Sequence, residues 1–270
     1  MQPGSIEPVN EPLYLHRFGP SGPAQILMIH GLTGHGRRWR TLASEYLGEF
    51  AVLAPDLLGH GRSSYAAPWT IDANVAALAT SLERNAAGPV IVVGHSFGAA
   101  VALQLAAQCP DLVSGLALLD PAAGLDGHWV QAVAEATMAS PDYPDRAQAR
   151  AEKATASWSD VSPEELDDEL DEHLTVLANG RFGWRVSPAA MIAYYSELAR
   201  DFALPHPGTP TRLVRAEYQQ PRYVTDALTQ ALAATLGTDF TMVQWPCHHM
   251  VGQALPSQTA ALIRTLPVGG

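Results

Sequence analysis

Two cysteines in 270 residues, Cys109 and Cys247, are too few for a disulfide framework, and no C-x-x-C spacing suggests zinc. They are read as free thiols in a reducing cytoplasm. No run of about 18 apolar residues exists, so no stretch of the chain is expected to span a bilayer as a helix. Residues 1–11 lack the basic start and apolar stretch of a secretory leader. Positive charge is also scarce: 16 Lys and Arg against 27 Asp and Glu leave a formal net charge of −11. That balance repels nucleic acid and anionic membrane surfaces. No nucleic-acid partner, no integral membrane span, no cofactor and no metal are expected, and the expected location is cytoplasmic.

What the chain does have is apolar material, 47% of its residues, enough to bury a full core. Its most informative stretch is Gly94-His95-Ser96-Phe97-Gly98. An apolar run, 89–93, enters it as a buried strand and a small-residue helix leaves it, so the segment reads strand, sharp turn, helix. That is the setting of a nucleophile elbow, in which a strained turn exposes a serine and flanking glycines avoid collisions that a Cβ would cause. A bare G-x-S-x-G is weak by itself, since about 0.1 matches arise by chance in a chain of this length. The flanking strand and helix carry the weight.

Short apolar strands alternate with helical patterns along most of the chain, which predicts βα units and a mostly parallel sheet covered on both faces. Strands are expected at 13–18, 25–29, 51–54, 89–93, 115–119, 211–215 and 240–243, and helices at 38–47, 71–82, 96–108, 224–236 and 257–266. The stretch 125–204 breaks the alternation. It is rich in helix formers, has no convincing buried strand, and carries an acidic run over 160–172. That run reads as a solvated helix face with leucines four apart. A metal site is disfavoured, because a straight helix splays the oxygen ligands a hard cation needs.

Three further motifs lie in order around the elbow: His30-Gly31-Leu32-Thr33-Gly34 after an apolar strand, Asp56-Leu57-Leu58-Gly59-His60-Gly61-Arg62-Ser63, and Cys247-His248-His249-Met250-Val251 near the end. In this order and spacing they resemble the α/β-hydrolase superfamily, over nearly the whole chain. Within it the chain looks most similar to the mycobacterial Lip-type lipase/esterases. The resemblance implies a core of 1–124 and 205–270 with an inserted helical cap, 125–204, over the catalytic serine. It also implies a serine hydrolase acting on a small-molecule ester or lipid through an acyl-enzyme. Thioesterase, lactonase and carbon–carbon bond hydrolase remain as alternatives on the same triad, as does a binding protein that kept the fold without the activity.

A serine hydroxyl needs a base to take its proton. Ser96 is the expected nucleophile and His249 the expected base, with His248 as its rival. His30, His60 and His95 are read as loop histidines that shape the floor of the site, and Asp56 as a structural anchor. The acid departs from the common pattern. Most relatives carry it after the strand matched here by 211–215, yet that stretch continues Ala216-Glu217-Tyr218-Gln219-Gln220. Asp120, at the end of the strand after the elbow helix, is the preferred replacement, with Glu217 and Asp226 as rivals. By resemblance, the backbone N–H groups of Leu32 and Phe97 form the oxyanion hole. Phe182, Trp184, Tyr194 and Tyr195 are candidates to line an acyl pocket or to pack the cap.

Overall fold

The computed structural model describes residues 13–140, 142–155 and 157–269. Residues 1–12, which include the stretch read as lacking a leader, lie outside the described residues. Seven strands form one sheet: β1 (Leu15–Phe18), β2 (Ile26–Ile29), β3 (Val52–Pro55), β4 (Val90–His95), β5 (Val113–Leu119), β8 (Thr211–Ala216) and β9 (Phe240–Trp245). Their spatial order is β1-β3-β2-β4-β5-β8-β9. Within this sheet, among the described residues, β1 pairs antiparallel with β3 and the other pairings are parallel. The helices are α1 (Ile71–Asn85), α2 (Phe97–Gln108), α3 (Gly127–Ala139), α4 (Arg146–Thr155), α5 (Pro163–His173), α6 (Pro188–Leu198), α7 (Asp226–Leu236), α8 (Val251–Ala254) and α9 (Pro256–Ile263). A separate hairpin joins β6 (Leu174–Val176) to β7 (Phe182–Trp184).

Both faces of the sheet are covered, and the side chains show why the central strands read as unbroken apolar runs. Leu27, Ile29, Val92, Leu116 and Leu118 pack on one face against α1, α2 and α7, while Ile26, Met28, Ile91, Val93 and Leu119 pack on the other against Trp39, Leu42 and α9. Successive residues point to opposite faces, so burial on both sides demands an apolar residue at every position. Helix starts follow local chemistry. The side chains of Thr70, Asp126, Ser162, Ser187 and Thr225 each accept the hydrogen bond of a first-turn amide and so satisfy donors a helix leaves open.

Two expectations need correction, and one needs an addition. The segment expected as a helix over 38–47 is a 3₁₀ turn, Gly36–Trp39, followed by one π-type turn, Leu42–Tyr46. Tertiary anchors override helix propensity there: Arg38 and Trp39 are both buried, and a Cβ on Gly36 would sit 2.2 Å from the Ala54 carbonyl oxygen. The stretch 125–204, where the sequence shows no convincing buried strand, adds to its helices the β6–β7 hairpin, whose strand residues are half-buried or exposed except Gly183. Finally, the acidic run is not wholly solvated. Leu166, Glu169, Leu170 and His173 share the buried face of α5, the i, i+3, i+4, i+7 stripe of an amphipathic helix.

Candidate active site

β4 ends at His95, and Ser96 turns the chain into α2 with φ 55 and ψ −121. A non-glycine residue with positive φ is strained, and the surroundings hold it there. Ser96 N donates to Leu119 O at 3.1 Å, and Ser96 O accepts from Ala122 N at 3.2 Å. The two flanking glycines are required by close approach. A Cβ on Gly94 would lie 2.6 Å from Ala99 Cα in α2, and one on Gly98 would lie 2.4 Å from Ile29 O in β2. Gly31 is required too, since its Cβ would meet Ser96 Cβ at 2.8 Å. The loop after β2 therefore lies directly against the serine.

Asp120 follows β5 and also has a positive φ, 44°. Its Oδ2 lies 2.6 Å from His249 Nδ1, and its Oδ1 accepts from Ala216 N at 3.0 Å. Glu217 and Asp226 are exposed, and the carboxylate paired with His249 is Asp120. The His249 ring lies between His95 and Tyr223, at centroid distances of 4.5 Å and 4.4 Å. His95 Nε2 donates to His249 O at 2.8 Å, so this nitrogen carries the His95 proton. Burial, with the neighbouring His249, holds the His95 imidazole well below its usual pKa and hence neutral. The rival His248 is bound elsewhere: its backbone N donates to Asp160 Oδ2 at 2.6 Å and its ring meets Tyr218 edge-on.

Ser96 and His249 face one cavity of about 180 Å³ together with Leu32, Trp129, Trp158, Tyr195 and Tyr223. Among the described residues Ser96 Oγ has no hydrogen bond to His249, and bonds of this kind often tighten only when substrate is bound. Neither the Leu32 N–H nor the Phe97 N–H donates to a protein acceptor among the described residues. The Phe97 N–H is one of the open donors at the start of α2, where the helix dipole also favours negative charge. The cavity therefore brings a serine hydroxyl and a carboxylate-paired imidazole to one wall, and the Leu32 and Phe97 amides are left without a protein acceptor among the described residues.

The other sequence candidates sort by contact. His30 Nδ1 donates to Gly31 O at 2.8 Å and its Nε2 accepts from Leu57 N at 2.9 Å, which braces the loop after β2. His60 Nδ1 bonds Leu58 O at 3.0 Å. Asp56 is an anchor: it accepts from Gly36 N at 2.7 Å, His16 Nε2 at 3.1 Å and Arg62 N at 2.9 Å. Burial alone would raise its pKa; these bonds outweigh burial and hold the carboxyl well below the usual range. Of the four aromatics proposed for the pocket, only Tyr195 lines it. Tyr194 is buried in the core and donates to Leu58 O at 2.9 Å. Phe182 and Trp184 belong to the hairpin, where the Lys153 ammonium sits 3.9 Å from the Trp184 ring centroid. Sequence reasoning missed Trp129, Trp158, Tyr223 and Arg38 as cavity residues. Nothing in the pair Arg37-Arg38 distinguishes the exposed guanidinium from the buried one.

Both cysteines are free. No cluster of His, Cys, Asp or Glu among the described residues has the arrangement of a metal site. No helix among them is long and apolar enough to cross a membrane.

Comparison with known proteins places the chain in a family and agrees with the fold. Lipase LipV of Mycobacterium tuberculosis is 59% identical over 253 residues, 94% of this chain and 97% of the relative. The crystal structure of esterase Rv0045c from the same organism superposes with a TM-score of 0.69 at 26% identity, covering 98% of this chain and 88% of that one. The structure of E-2-(acetamidomethylene)succinate hydrolase gives a TM-score of 0.79 over 94% of each chain, and at 22% identity it bears on the fold alone. Residues 26–262 match the Alpha/beta hydrolase family, and with a lipase of that likeness over nearly its full length the chain belongs to this family of hydrolases.

Proposed function

We propose that the chain is a serine carboxylic-ester hydrolase with Ser96 as nucleophile, His249 as general base and Asp120 as the acid that orients it. Ser96 Oγ attacks the ester carbonyl while His249 Nε2 takes the serine proton. Asp120 accepts the hydrogen bond of His249 Nδ1–H, which fixes the tautomer, and stabilises the imidazolium that forms. The tetrahedral oxyanion is met by the N–H groups of Leu32 and Phe97, which are fixed in place before reaction and need no reorganisation. Collapse expels the alcohol with the proton from His249. Water, deprotonated by the same histidine, then releases the acid. The substrate class is a small-molecule ester or lipid with a compact acyl part, in keeping with a cavity of about 180 Å³.

Under this reading the core is 1–124 with 205–270, and 125–204 is a cap. Cavity residues Trp129, Val133, Trp158 and Tyr195 come from that stretch. Trp158, Val161, Leu166 and Leu170 also cluster with Met250, the residue after the proposed base. The single observation that carries the proposal is the 2.6 Å pairing of Asp120 with His249 beside a serine held at φ 55. The test is hydrolysis of p-nitrophenyl acetate, butyrate and octanoate by the full chain beside Ser96→Ala. Ser96→Ala should cut kcat by about 10⁴ to 10⁶ and abolish labelling by a fluorophosphonate. Ester hydrolysis at a tenth of wild type in that variant would refute the assignment.

A further inference from the structure

Arg38 follows the oxyanion loop by six residues from Leu32, lines the catalytic cavity, and is almost wholly buried. Its Nη2 donates to Thr33 O at 3.0 Å. The peptide that carries this carbonyl also carries the Gly34 N–H, which donates to Gly31 O at 3.1 Å. The peptide that carries Gly31 O in turn carries the Leu32 N–H, the proposed oxyanion donor. A continuous relay thus runs from the guanidinium through two peptide groups to the reacting oxygen. Each peptide group accepts on one side and donates on the other, so a cation at the far end both orients the chain and polarises its last donor. His30 Nδ1 donates to Gly31 O as well, at 2.8 Å, and braces the same peptide.

The turn is built around this arrangement. Thr33 sits at φ 56, a conformation that a β-branched residue keeps only when its surroundings impose it. Gly34 has no room for a side chain: its Cβ would lie 2.8 Å from each of Arg38 Nη1, Gly31 O and His30 Nδ1. The guanidinium is itself held by α5. Arg38 Nε and Nη2 donate to Glu169 Oε2 and Oε1 of α5 at 3.0 Å and 2.5 Å. His35 Nε2 and Lys153 Nζ reach the same carboxylate at 2.9 Å and 2.7 Å. Burial alone would raise the Glu169 pKa; Arg38, Lys153 and His35 outweigh it and keep the carboxyl ionised, well below the usual range.

We propose that Arg38 is a positioning residue for the reaction, one that sets and polarises the Leu32 N–H through the Thr33 and Gly31 peptides. Because Glu169 holds its guanidinium, the oxyanion hole is complete only when α5 is seated on the core. The inference rests on the hydrolase reading above. A purely structural role, fastening one segment to the other, makes a different prediction, and a charge-free replacement separates the two. Exchanging a buried ion cluster for apolar side chains of similar size often leaves stability unchanged or improved.

The experiment uses the full chain with Arg38→Met, Glu169→Met and Lys153→Met combined, beside the single variant Arg38→Lys, wild type and Ser96→Ala. With p-nitrophenyl butyrate, both Arg38 variants should lose about 10- to 100-fold in kcat while KM stays within about threefold. Loss of one whole oxyanion donor costs about 10²- to 10³-fold, and a misplaced donor should cost less. The Ki for phenylboronic acid, whose serine adduct presents a tetrahedral oxygen, should rise by a similar factor. A folded triple variant with kcat within twofold of wild type would overturn the proposal and leave the cluster as a fastener. Should the triple variant not fold, Arg38→Lys decides by the same criterion, since lysine keeps a cation but lacks the fork that spans Glu169 and Thr33. If wild type is no more active than Ser96→Ala, the hydrolase reading falls and the inference with it, an outcome distinct from loss of the relay alone.

Discussion

Asp120→Asn isolates the acid with almost no change of shape, and the structure says which way the amide must face. Asp120 Oδ1 accepts from Ala216 N at 3.0 Å, and only an oxygen can do so. In the variant the amide oxygen keeps that bond, which turns the NH₂ toward His249 Nδ1, now 2.6 Å from a carboxylate oxygen. Nδ1 must then accept rather than donate, and the imidazole proton moves to Nε2. An Nε2 that already carries a proton cannot take another from Ser96. The expected loss in kcat is about 10⁴-fold, equal to about 5.4 kcal/mol of barrier. KM and the melting temperature should change little, because the fold-facing bond survives. The assay is p-nitrophenyl butyrate hydrolysis over a range of pH, run beside Glu217→Gln and Asp226→Asn, each expected to cost less than about tenfold. Survival of activity in Asp120→Asn with loss in either of the others would refute the reasoning and move the acid to the segment after β8.

His249→Ala should match Ser96→Ala in severity, whereas His248→Ala should cost less than about tenfold, since its ring packs on Tyr218 away from the cavity; kcat for p-nitrophenyl acetate ranks them, and the reverse order would show that the wrong neighbour was chosen. Trp129 lines the cavity and Trp184 does not, so Trp129→Ala should change the kcat/KM ratio of octanoate to acetate esters by about tenfold or more. Trp184→Ala should lower the melting temperature by removing the ring under Lys153 and leave that ratio within about twofold. An unchanged ratio in Trp129→Ala would demote that ring to packing.

The parts of this molecule that were legible in its sequence share a physical property: their meaning is local. β2 and β4 are buried on both faces, so they appear as unbroken apolar runs wherever they are read. The elbow was legible for a similar reason. Gly94 and Gly98 are written at fixed offsets from Ser96 because α2 and β2 approach within 2.6 Å and 2.4 Å of where a Cβ would be. The carboxylate that pairs with His249 was legible only as a short list. Asp120 sits 129 residues from His249, and a carboxylate at the end of a strand looks the same whether it faces that histidine or solvent. Three carboxylates fitted the order of elements, and the folded chain brings Asp120 to the ring, with its other oxygen on Ala216 N at the end of β8.

What stayed hidden is the contact between α5 and the turn that carries Arg38, and the reason is the same distance problem without a motif to help. Glu169 looks like one more charge in an acidic helix, yet it lies 131 residues from the Arg38 it holds. Its helix phase was available, since Leu166, Leu170 and His173 mark the same face. Burial of an ionised carboxylate is costly unless cations meet it, and those cations are supplied by Arg38 and Lys153 from two other elements. An acidic residue in the apolar stripe of a helix is therefore the signal that was present and unread. It implies partners of opposite charge, and the scarcity of basic residues in this chain narrows where they can be. That a guanidinium answering this demand also reaches the Thr33 carbonyl ties the docking of α5 to the geometry around Ser96, a coupling that neither segment shows alone.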